Sequence, residues 1–113
     1  MTTKFTLKLD YDRFRKGFVD DAKDTLDEAM EYGVDLAKDN APVRTGALRD
    51  SIEILEHAED DEDGVRGSYG TKIEYGGFVE HGTSRMRAQP FLEPTGESTL
   101  SEWQRRLKER RDG

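Results

Sequence analysis

Hydrophobic periodicity is clearest at the start of the chain, where a strand-like alternation gives way to a helix-like repeat. Phe5, Leu7 and Leu9 alternate with polar residues, which predicts a half-buried strand. Apolar residues then recur every three or four positions, which predicts one long amphipathic helix. Its apolar positions are Tyr11, Phe14, Phe18, Ala22, Leu26, Ala29, Met30, Val34 and Ala37. Pro42 disfavours helical geometry at Ala41, so we expect the helix to end there.

A turn and a strand are predicted next. Thr45 fits the N-cap of a single helical turn through Arg49, and Gly46 fits a backbone constraint where that turn begins. Residues 51–57 then alternate as a strand with Ile52 and Ile54 on one face. The edge of this strand is a candidate for pairing with a neighbouring subunit, because an unpaired strand edge invites association.

Two further strands are predicted after an acidic turn. Residues 59–63 are all acidic and Gly64 follows them, which indicates a solvated hairpin tip. Residues 65–70 and 71–81 are interpreted as the strands that follow. Gly76 and Gly77 lie inside the second of these strands and indicate a bulge or a close backbone approach.

A second helix is predicted from about Gly96, after a loop over residues 82–90. Leu100, Trp103 and Leu107 form its narrow apolar stripe, and basic residues crowd its end, where they suit the helix dipole. The order β-α-β-β-β-α indicates an α+β fold, with a long N-terminal helix and a C-terminal helix packed on a small antiparallel sheet. No linker or repeat divides the 113 residues, which fit one domain over 1–113.

Composition favours an assembled subunit over a free monomer. Only 33% of the residues are hydrophobic and 38% are charged, which is a thin apolar supply for a self-sufficient core. Partial disorder, an oligomer that shares its core and a surface adapted to high salt would each fit; the ordered patterns weaken the first. The abundance of Asp and Arg suggests a halophilic host, and an ordinary acidic surface explains it equally well.

The net charge of −7 is distributed unevenly. Residues 84–113 carry seven basic and five acidic side chains, whereas residues 1–83 carry eleven basic and twenty acidic ones. We therefore expect the body of the chain to repel nucleic acid, while the C-terminal third tolerates it.

The sequence offers few means of binding metals or entering membranes. It has no Cys, which excludes disulfides, thiol nucleophiles and Cys-based zinc sites. No apolar run approaches the roughly 20 residues of a membrane span, and the N-terminus lacks the apolar segment of a signal peptide. We expect synthesis in the host cytoplasm and no contact with a membrane.

Catalytic patterns are also missing. His57 and His81 lack the helical two-His spacing that binds zinc in metalloproteases. Ser51, Ser68 and Ser84 have no nucleophile-elbow pattern around them. The expectation is a protein without enzymatic activity, metal or cofactor.

Three short motifs occur in the central part of the chain. They are residues 41–52 (APVRTGALRDSI), residues 75–83 (YGGFVEHGT) and residues 89–94 (QPFLEP). In this order they resemble the AP-x-x-TG-x-LR-x-S-I, Y-x-x-(F/Y)-V-E-x-GT and Q-P-F-L-x-P elements of a phage minor-tail and head–tail joining family. These proteins are also called tail-completion or Z-like neck proteins. Thr95 departs from the family pattern, which usually has Ala after the final proline.

The resemblance implies a structural virion protein at the neck of a tailed virus. Family members are small α+β subunits that assemble as a ring, commonly a hexamer. The ring lies between head-closure proteins and tail-tube or tail-terminator proteins, and the genome passes through its lumen. The matching residues are Pro42, Thr45, Gly46, Leu48, Arg49, Ser51, Ile52, Tyr75, Val79, Glu80, Gly82, Thr83, Pro90, Phe91 and Pro94.

Some residues are candidates for contacts within such an assembly. The candidates for a subunit interface are Arg44, Arg49, Glu80 and Trp103, and contacts within the chain are the alternative for each. Trp103 is interpreted as an anchor because its helix has too little apolar face to be internal.

Arg85 and Arg87 form a second candidate set, because they lie on a loop of an otherwise acidic chain. We expect the loop to reach the lumen, where arginines would contact DNA phosphates without reading sequence, or the adjoining ring. Docking on an acidic neighbouring subunit is the alternative.

Other functions remain open from the sequence. The chain could be a tail terminator that caps the tail tube. It could also be a nucleic-acid-binding regulator that uses the basic C-terminal helix, although the acidic body and the missing helix-turn-helix pattern disfavour this. A small acidic enzyme is disfavoured by the lack of a catalytic constellation.

Overall fold

The computed structural model describes residues 2–10, 19–42 and 46–112, and every structural statement below refers to them. The elements are β1 (Thr3–Asp10), α1 (Val19–Asn40), α2 (Ala47–Ser51), β2 (Glu53–Asp61), β3 (Gly64–Thr71), α3 (Gly76–His81), a 3₁₀ turn (Glu93–Thr95) and α4 (Gly96–Asp112). The predicted α+β class is confirmed. Within these ranges, no helix combines the length and apolarity that a membrane crossing requires.

The three strands form one antiparallel sheet in the order β1-β3-β2, so β3 is central and the other two strands are its edges. β1 pairs with β3 in an unbroken register from Thr3–Thr71 to Asp10–Gly64. β2 forms a hairpin with β3, but its register shifts twice along the way. These irregularities make β2 the less regular of the two edges.

One face of the sheet packs against α1, and the other is solvated. As predicted, Leu7 and Leu9 of β1 are buried and Phe5 packs beside them. The residues of α1 that meet this face are Ala22, Leu26, Ala29, Met30 and Val34. The solvated face is crossed by ion pairs such as Lys4 Nζ to Glu56 Oε1 at 2.9 Å.

The C-terminal helix α4 begins at Gly96 as predicted, and it packs along α1. Its first turns also reach the sheet, because the Tyr69 hydroxyl of β3 lies 2.5 Å from Thr95 Oγ1 and 3.1 Å from Thr99 Oγ1. Burial raises the pKa of that hydroxyl. At Gly33 of α1, a Cβ atom would lie 2.6 Å from Thr99 Oγ1, so glycine is needed where the two helices approach.

Charged residues join α1 and α4 along their exposed sides. Arg106 Nη1 lies 3.0 Å from Glu28 Oε1, and Arg110 Nη2 lies 2.8 Å from Glu28 Oε2. Within α4, Glu102 accepts hydrogen bonds from Arg105 and Arg106, which hold the pKa of its carboxyl below the ordinary value. The basic end of α4 therefore serves mainly to bind the acidic helix beside it.

Several predicted boundaries differ from the structure. The strand expected over residues 71–81 is wrong, since the chain turns after Thr71 and forms α3 instead. The strand expected over residues 51–57 begins at Glu53 and continues to Asp61, so the hairpin tip is shorter than the acidic run. The helical turn expected through Arg49 is α2, which ends at Ser51. Residues 11–18, where the first predicted helix begins, lie outside the described residues.

The physical reason for the longer β2 is charge pairing across the hairpin and toward α1. Asp61 Oδ2 lies 3.5 Å from Lys8 Nζ and 4.0 Å from Arg66 Nη1, and Asp60 Oδ2 lies 3.5 Å from Lys23 Nζ. Acidic side chains can therefore extend the strand instead of forming its turn.

Candidate assembly surface

The first motif surrounds the helical turn α2. Gly46 precedes α2 with φ = 70°, and beyond its chain neighbours no atom of the described residues lies within 4 Å of where its Cβ would be. Glycine is therefore required there by the backbone conformation and not by space. Leu48 and Ile52 are buried in the core, as expected. Thr45 and Arg44 lie outside the described residues.

The hydroxyl groups of Ser51 and Thr71 connect the first motif with the turn that leads to the second. Ser51 Oγ lies 2.6 Å from Thr71 Oγ1, and the Ser51 hydroxyl also donates to the carbonyl of Leu48. Thr71 Oγ1 in turn accepts a hydrogen bond from the Ile73 N–H at 3.0 Å. These contacts fix the turn that leads from β3 into α3.

Gly76 allows the start of α3 to lie against this turn. A Cβ at Gly76 would lie 2.7 Å from Thr71 Cγ2 and 3.6 Å from Leu48 Cδ1. The close backbone approach predicted at this position is therefore confirmed, although it occurs in a helix and not in a strand. The approach brings the first two motifs into direct contact.

Glu80 connects the second motif with the third. Its side chain is buried, and its two carboxylate oxygens accept hydrogen bonds from the N–H groups of Phe91, Leu92 and Glu93 at 2.9, 2.9 and 3.0 Å. Hydrogen bonds to a charged acceptor are stronger than neutral ones. Glu80 thereby orients Phe91 and Leu92 into the core and fixes the approach to the 3₁₀ turn.

The loop between Glu80 and Phe91 is closed tightly. Gly82 has φ = 76°, and a Cβ there would lie 2.7 Å from the Ala88 nitrogen. Thr83 and Met86 exchange backbone hydrogen bonds across a turn, at 2.8 and 3.3 Å. The Gln89 N–H donates to the carbonyl of Val79 at 2.8 Å. The remaining motif residues Pro90 and Pro94 are exposed beside these contacts.

This closed loop and the adjoining helix present large apolar side chains to solvent. Phe78 is 55% exposed, and Met86 is 37% exposed. Arg85 and Arg87 flank Met86, both are exposed, and no ion pair joins either of them to another described residue. We call Phe78, Arg85, Met86 and Arg87 the α3–loop surface; Tyr75, 39% exposed, lies at the start of the same helix.

Two of the predicted interface residues belong to the interior. Trp103 is fully buried in its own chain, and its Nε1–H donates to the carbonyl of Ala22 at 3.1 Å. The predicted interface anchor is therefore wrong, because the indole ring is buried in the core of its own chain and its N–H reaches α1. Glu80 has the local hydrogen-bonding role that was its alternative. Arg49 is exposed on α2, without an ion pair to any residue in the described ranges.

The histidines and serines do not combine into a reactive site in the described parts of the chain. His57 Nδ1 lies 3.4 Å from Asp27 Oδ1 at the surface, and His81 is exposed at the end of α3. The Ser68 hydroxyl donates to Glu56, and this bond lowers the pKa of the Glu56 carboxyl. No group of His, Asp and Glu residues in the described ranges is arranged to hold a metal ion.

An open groove of about 450 Å³ lies between α1 and β2. Val34, Ile52 and Ile54 contribute its apolar lining, and Glu31, Asp35, Glu53 and His57 contribute its polar lining. The groove is thus apolar at its base and acidic around it.

The motifs contact one another across a small α+β domain, and their hydrogen bonds close an exposed loop. The model of a protein family described as "Bacteriophage HK97-gp10, putative tail-component" matches residues 6–82. The chain belongs to this HK97-gp10-like family, and it is a structural protein of a tailed virus. Neither a curated protein nor a solved structure matches it.

The family match contains the first motif and nearly all of the second, whereas the third lies beyond residue 82. The Glu80 carboxylate connects this third motif with the matched region. Sequence reasoning identified Glu80 as a motif residue but not as the acceptor for three backbone N–H groups. Its position in the motif gave no sign of that role.

Proposed function

We propose that the chain is a ring-forming subunit at the neck of a tailed virus, where it completes the tail and joins it to the head. The subunits assemble with their own kind, commonly as a hexamer, and contact head-closure proteins on one side and tail-tube or tail-terminator proteins on the other. The genome passes through the lumen. The observation that carries this proposal is membership of the tail-component family over residues 6–82.

The structure supports an assembling subunit in two ways. The α3–loop surface exposes Phe78 and Met86 beside arginines that no described acidic residue neutralises. Exposed apolar side chains clustered with charge are typical of protein-binding surfaces. The loop of this surface is also closed by backbone hydrogen bonds, which lowers the ordering free energy that binding a partner would cost.

We also propose that the protein works without catalysis or a cofactor. The side chains that the motifs share serve to hold backbone segments together, as Glu80 and Ser51 do. A net charge of −7 suits a passage that DNA must cross without being retained. A sequence-specific DNA-binding role for α4 is less well supported, because Arg106 and Arg110 bind Glu28.

Deleting the gene from the phage that encodes it tests the proposal. We expect DNA-filled heads and separate tails that fail to join, and we expect plasmid-borne protein to restore infectious particles. Electron microscopy of the lysate distinguishes the alternative, since loss of a tail terminator would yield tails of uncontrolled length. Normal joined particles from the deletion strain would contradict both assignments.

A further inference from the structure

We propose that the α3–loop surface of one copy binds the acidic groove between α1 and β2 on the next copy, so that subunits join head to tail. This inference rests on the proposed ring and names the two surfaces that would build it. The two surfaces differ in shape and in charge.

The first surface is exposed to solvent. Phe78 on α3 is 55% exposed, and Met86 lies on the loop that the Thr83–Met86 hydrogen bonds close. Arg85 and Arg87 stand on either side of Met86 in the sequence and make no ion pair with a described residue. The α3–loop surface therefore combines two large apolar side chains with two unneutralised positive charges.

The second surface is a depression of about 450 Å³, which has room for an aromatic or methionine side chain. Its base includes Val34 and Ile52, which are almost fully buried, and the half-buried Ile54. The acidic residues that line it are Glu31, Asp35 and Glu53, and no ion pair joins them to another described residue. The groove therefore combines an apolar base with three unneutralised negative charges.

The two surfaces are complementary in both respects. Seating Phe78 or Met86 on the apolar base would remove apolar area from water, at about 25 cal/mol per Å². Arg85 and Arg87 would then lie against acidic side chains, which favours the correct register and disfavours like-charged partners. DNA is a poorer partner for the α3–loop surface, because phosphates offer no apolar contact to the exposed phenyl ring of Phe78.

The positions of the two surfaces on the subunit favour head-to-tail assembly over a closed dimer. The start of α3 lies beside β1, since a Cβ at Gly77 would be 3.3 Å from Thr3 Oγ1. The groove is built on β2, through Ile54 and its neighbours. β1 and β2 are the opposite edges of the sheet. A contact between different surfaces repeats from copy to copy and forms a ring when the rotation closes.

Disulfide trapping tests the contact directly, because the chain has no Cys of its own. We expect the double variant Met86→Cys with Asp35→Cys to form a ladder of covalent oligomers when oxidised. Each single variant should stop at a dimer, since one Cys per chain can join only two chains. A double variant that forms no species larger than a dimer would overturn the inference.

Charge exchange tests the same contact by a second route. Variant one carries Arg85→Glu and Arg87→Glu, and variant two carries Glu31→Arg and Asp35→Arg. We expect each alone to self-associate more than about tenfold more weakly, because like charges then face each other. An equimolar mixture should regain assembly, since each reversed surface meets its complement on the other variant. Sedimentation velocity measures all three samples.

A matched control is Lys72→Glu with Lys108→Glu, which changes the net charge as much as variant one. Both lysines are exposed, outside the two surfaces and without an ion pair to another described residue, so assembly should be retained. If variant one assembles like the control, or if the mixture fails to recover, the contact is wrong. Loss of duplex-DNA binding in variant one with unchanged assembly would likewise overturn it in favour of a DNA contact.

The same samples separate the contact from the proposed function. If the parent chain forms rings in electron micrographs and the charge variants assemble as well as it does, the proposed contact is wrong and the neck ring remains supported. A disulfide ladder without closed rings would uphold the contact and count against the ring. A parent chain that forms no rings, together with a double-Cys variant that forms no ladder, would contradict both.

Discussion

Aromatic and basic residues lie in opposite environments in the helix pair α1–α4 and on the α3–loop surface. Between the helices, Trp103 is fully buried and the arginines of α4 bind acidic partners of α1 or of their own helix. On the α3–loop surface, Phe78 is 55% exposed and Arg85 and Arg87 have no such partner in the described chain. The aromatic and basic residues of the first region stabilise the subunit, whereas those of the second are available to other molecules.

This difference gives a criterion for finding assembly surfaces in a protein with few apolar residues. When hydrophobic side chains make up only 33% of the chain, each one left in solvent is withheld from a small core. The residues that the fold does not use are then the best candidates for assembly. Substitutions in the two regions should separate accordingly, with large losses of stability in one and large losses of assembly in the other.

Trp103→Ala should have the largest effect on stability. Removing a fully buried indole leaves a cavity and typically costs about 3–5 kcal/mol in the free energy of unfolding. Urea denaturation followed by circular dichroism would measure it. A loss below 1 kcal/mol would show that Trp103 is not part of the subunit core and would reopen its role at an interface.

Glu80→Ala should come next, with a loss of about 3 kcal/mol, because three backbone N–H groups lose a charged acceptor. Glu80→Gln retains one acceptor oxygen and should lose roughly half as much. The matched control is Glu74→Ala, an exposed acidic residue ahead of the same helix. Equal stabilities for the Glu80 and Glu74 variants would show that the carboxylate does not hold the third motif.

Tyr69→Phe should cost about 1–2 kcal/mol, since it removes one hydroxyl and leaves those of Thr95 and Thr99 short of a partner. The ring remains in place, so the loss reports the hydrogen bonds between β3 and the start of α4. Thermal unfolding of the variant beside the parent provides the measurement. An unchanged melting temperature would mean that these hydroxyls find other partners.

Neutralising Arg106 or Arg110 should cost only about 0.5 kcal/mol each, because both side chains are about a third exposed. The pKa of the Glu102 carboxyl is lowered, so its contribution is present at neutral pH and is lost as pH falls below the ordinary value of 4.5. Unfolding free energies between pH 7 and pH 3 would show it. Stability that instead rises steeply in molar KCl would indicate adaptation to high salt.

Phe78→Ser should have the smallest effect on stability, within about 0.5 kcal/mol, because most of the ring is already in water. Its effect should appear in self-association, measured by sedimentation velocity. Phe91→Ala is the contrasting variant, since Phe91 is fully buried and its loss should cost about 3–5 kcal/mol. A Phe78 variant that unfolds as readily as the Phe91 variant would abolish the distinction between the two regions.

The sequence predicted the elements whose hydrophobic residues recur at a regular spacing. The alternation in β1, the three-to-four-residue repeat of α1 and the start of α4 at Gly96 are all confirmed. It failed at α3, where Tyr75, Phe78 and Val79 favour strands intrinsically and paired glycines disfavour a helix. The six residues of α3 are too few for a periodic signal, and contacts of Gly76 with Thr71 and Leu48 decide their conformation.

The roles of Trp103 and Glu80 could not be predicted from the sequence, because they too depend on contacts with other parts of the chain. The stripe on α4 looked too narrow to be internal, but it packs against α1, whose Ala22 lies 81 positions before Trp103 and accepts the indole hydrogen bond. Glu80 was a motif residue without an assigned partner, because its partners are backbone groups that no side-chain pattern reveals. The exposed state of Arg85 and Arg87 was predicted, and their binding partner stays a proposal.

The three hydrogen bonds that Glu80 accepts also have a mechanical consequence. A pull on the tip of the loop is met first by the Thr83–Met86 bonds, then by the Gln89–Val79 bond, and finally by three bonds to one carboxylate. Because these bonds lie one behind another from the tip to the base, the loop can open only by breaking them in sequence, and the three bonds to Glu80 break last. Force applied there is delivered to α3 and to the start of α4. The short surface loop is thus mechanically connected to the core of its subunit.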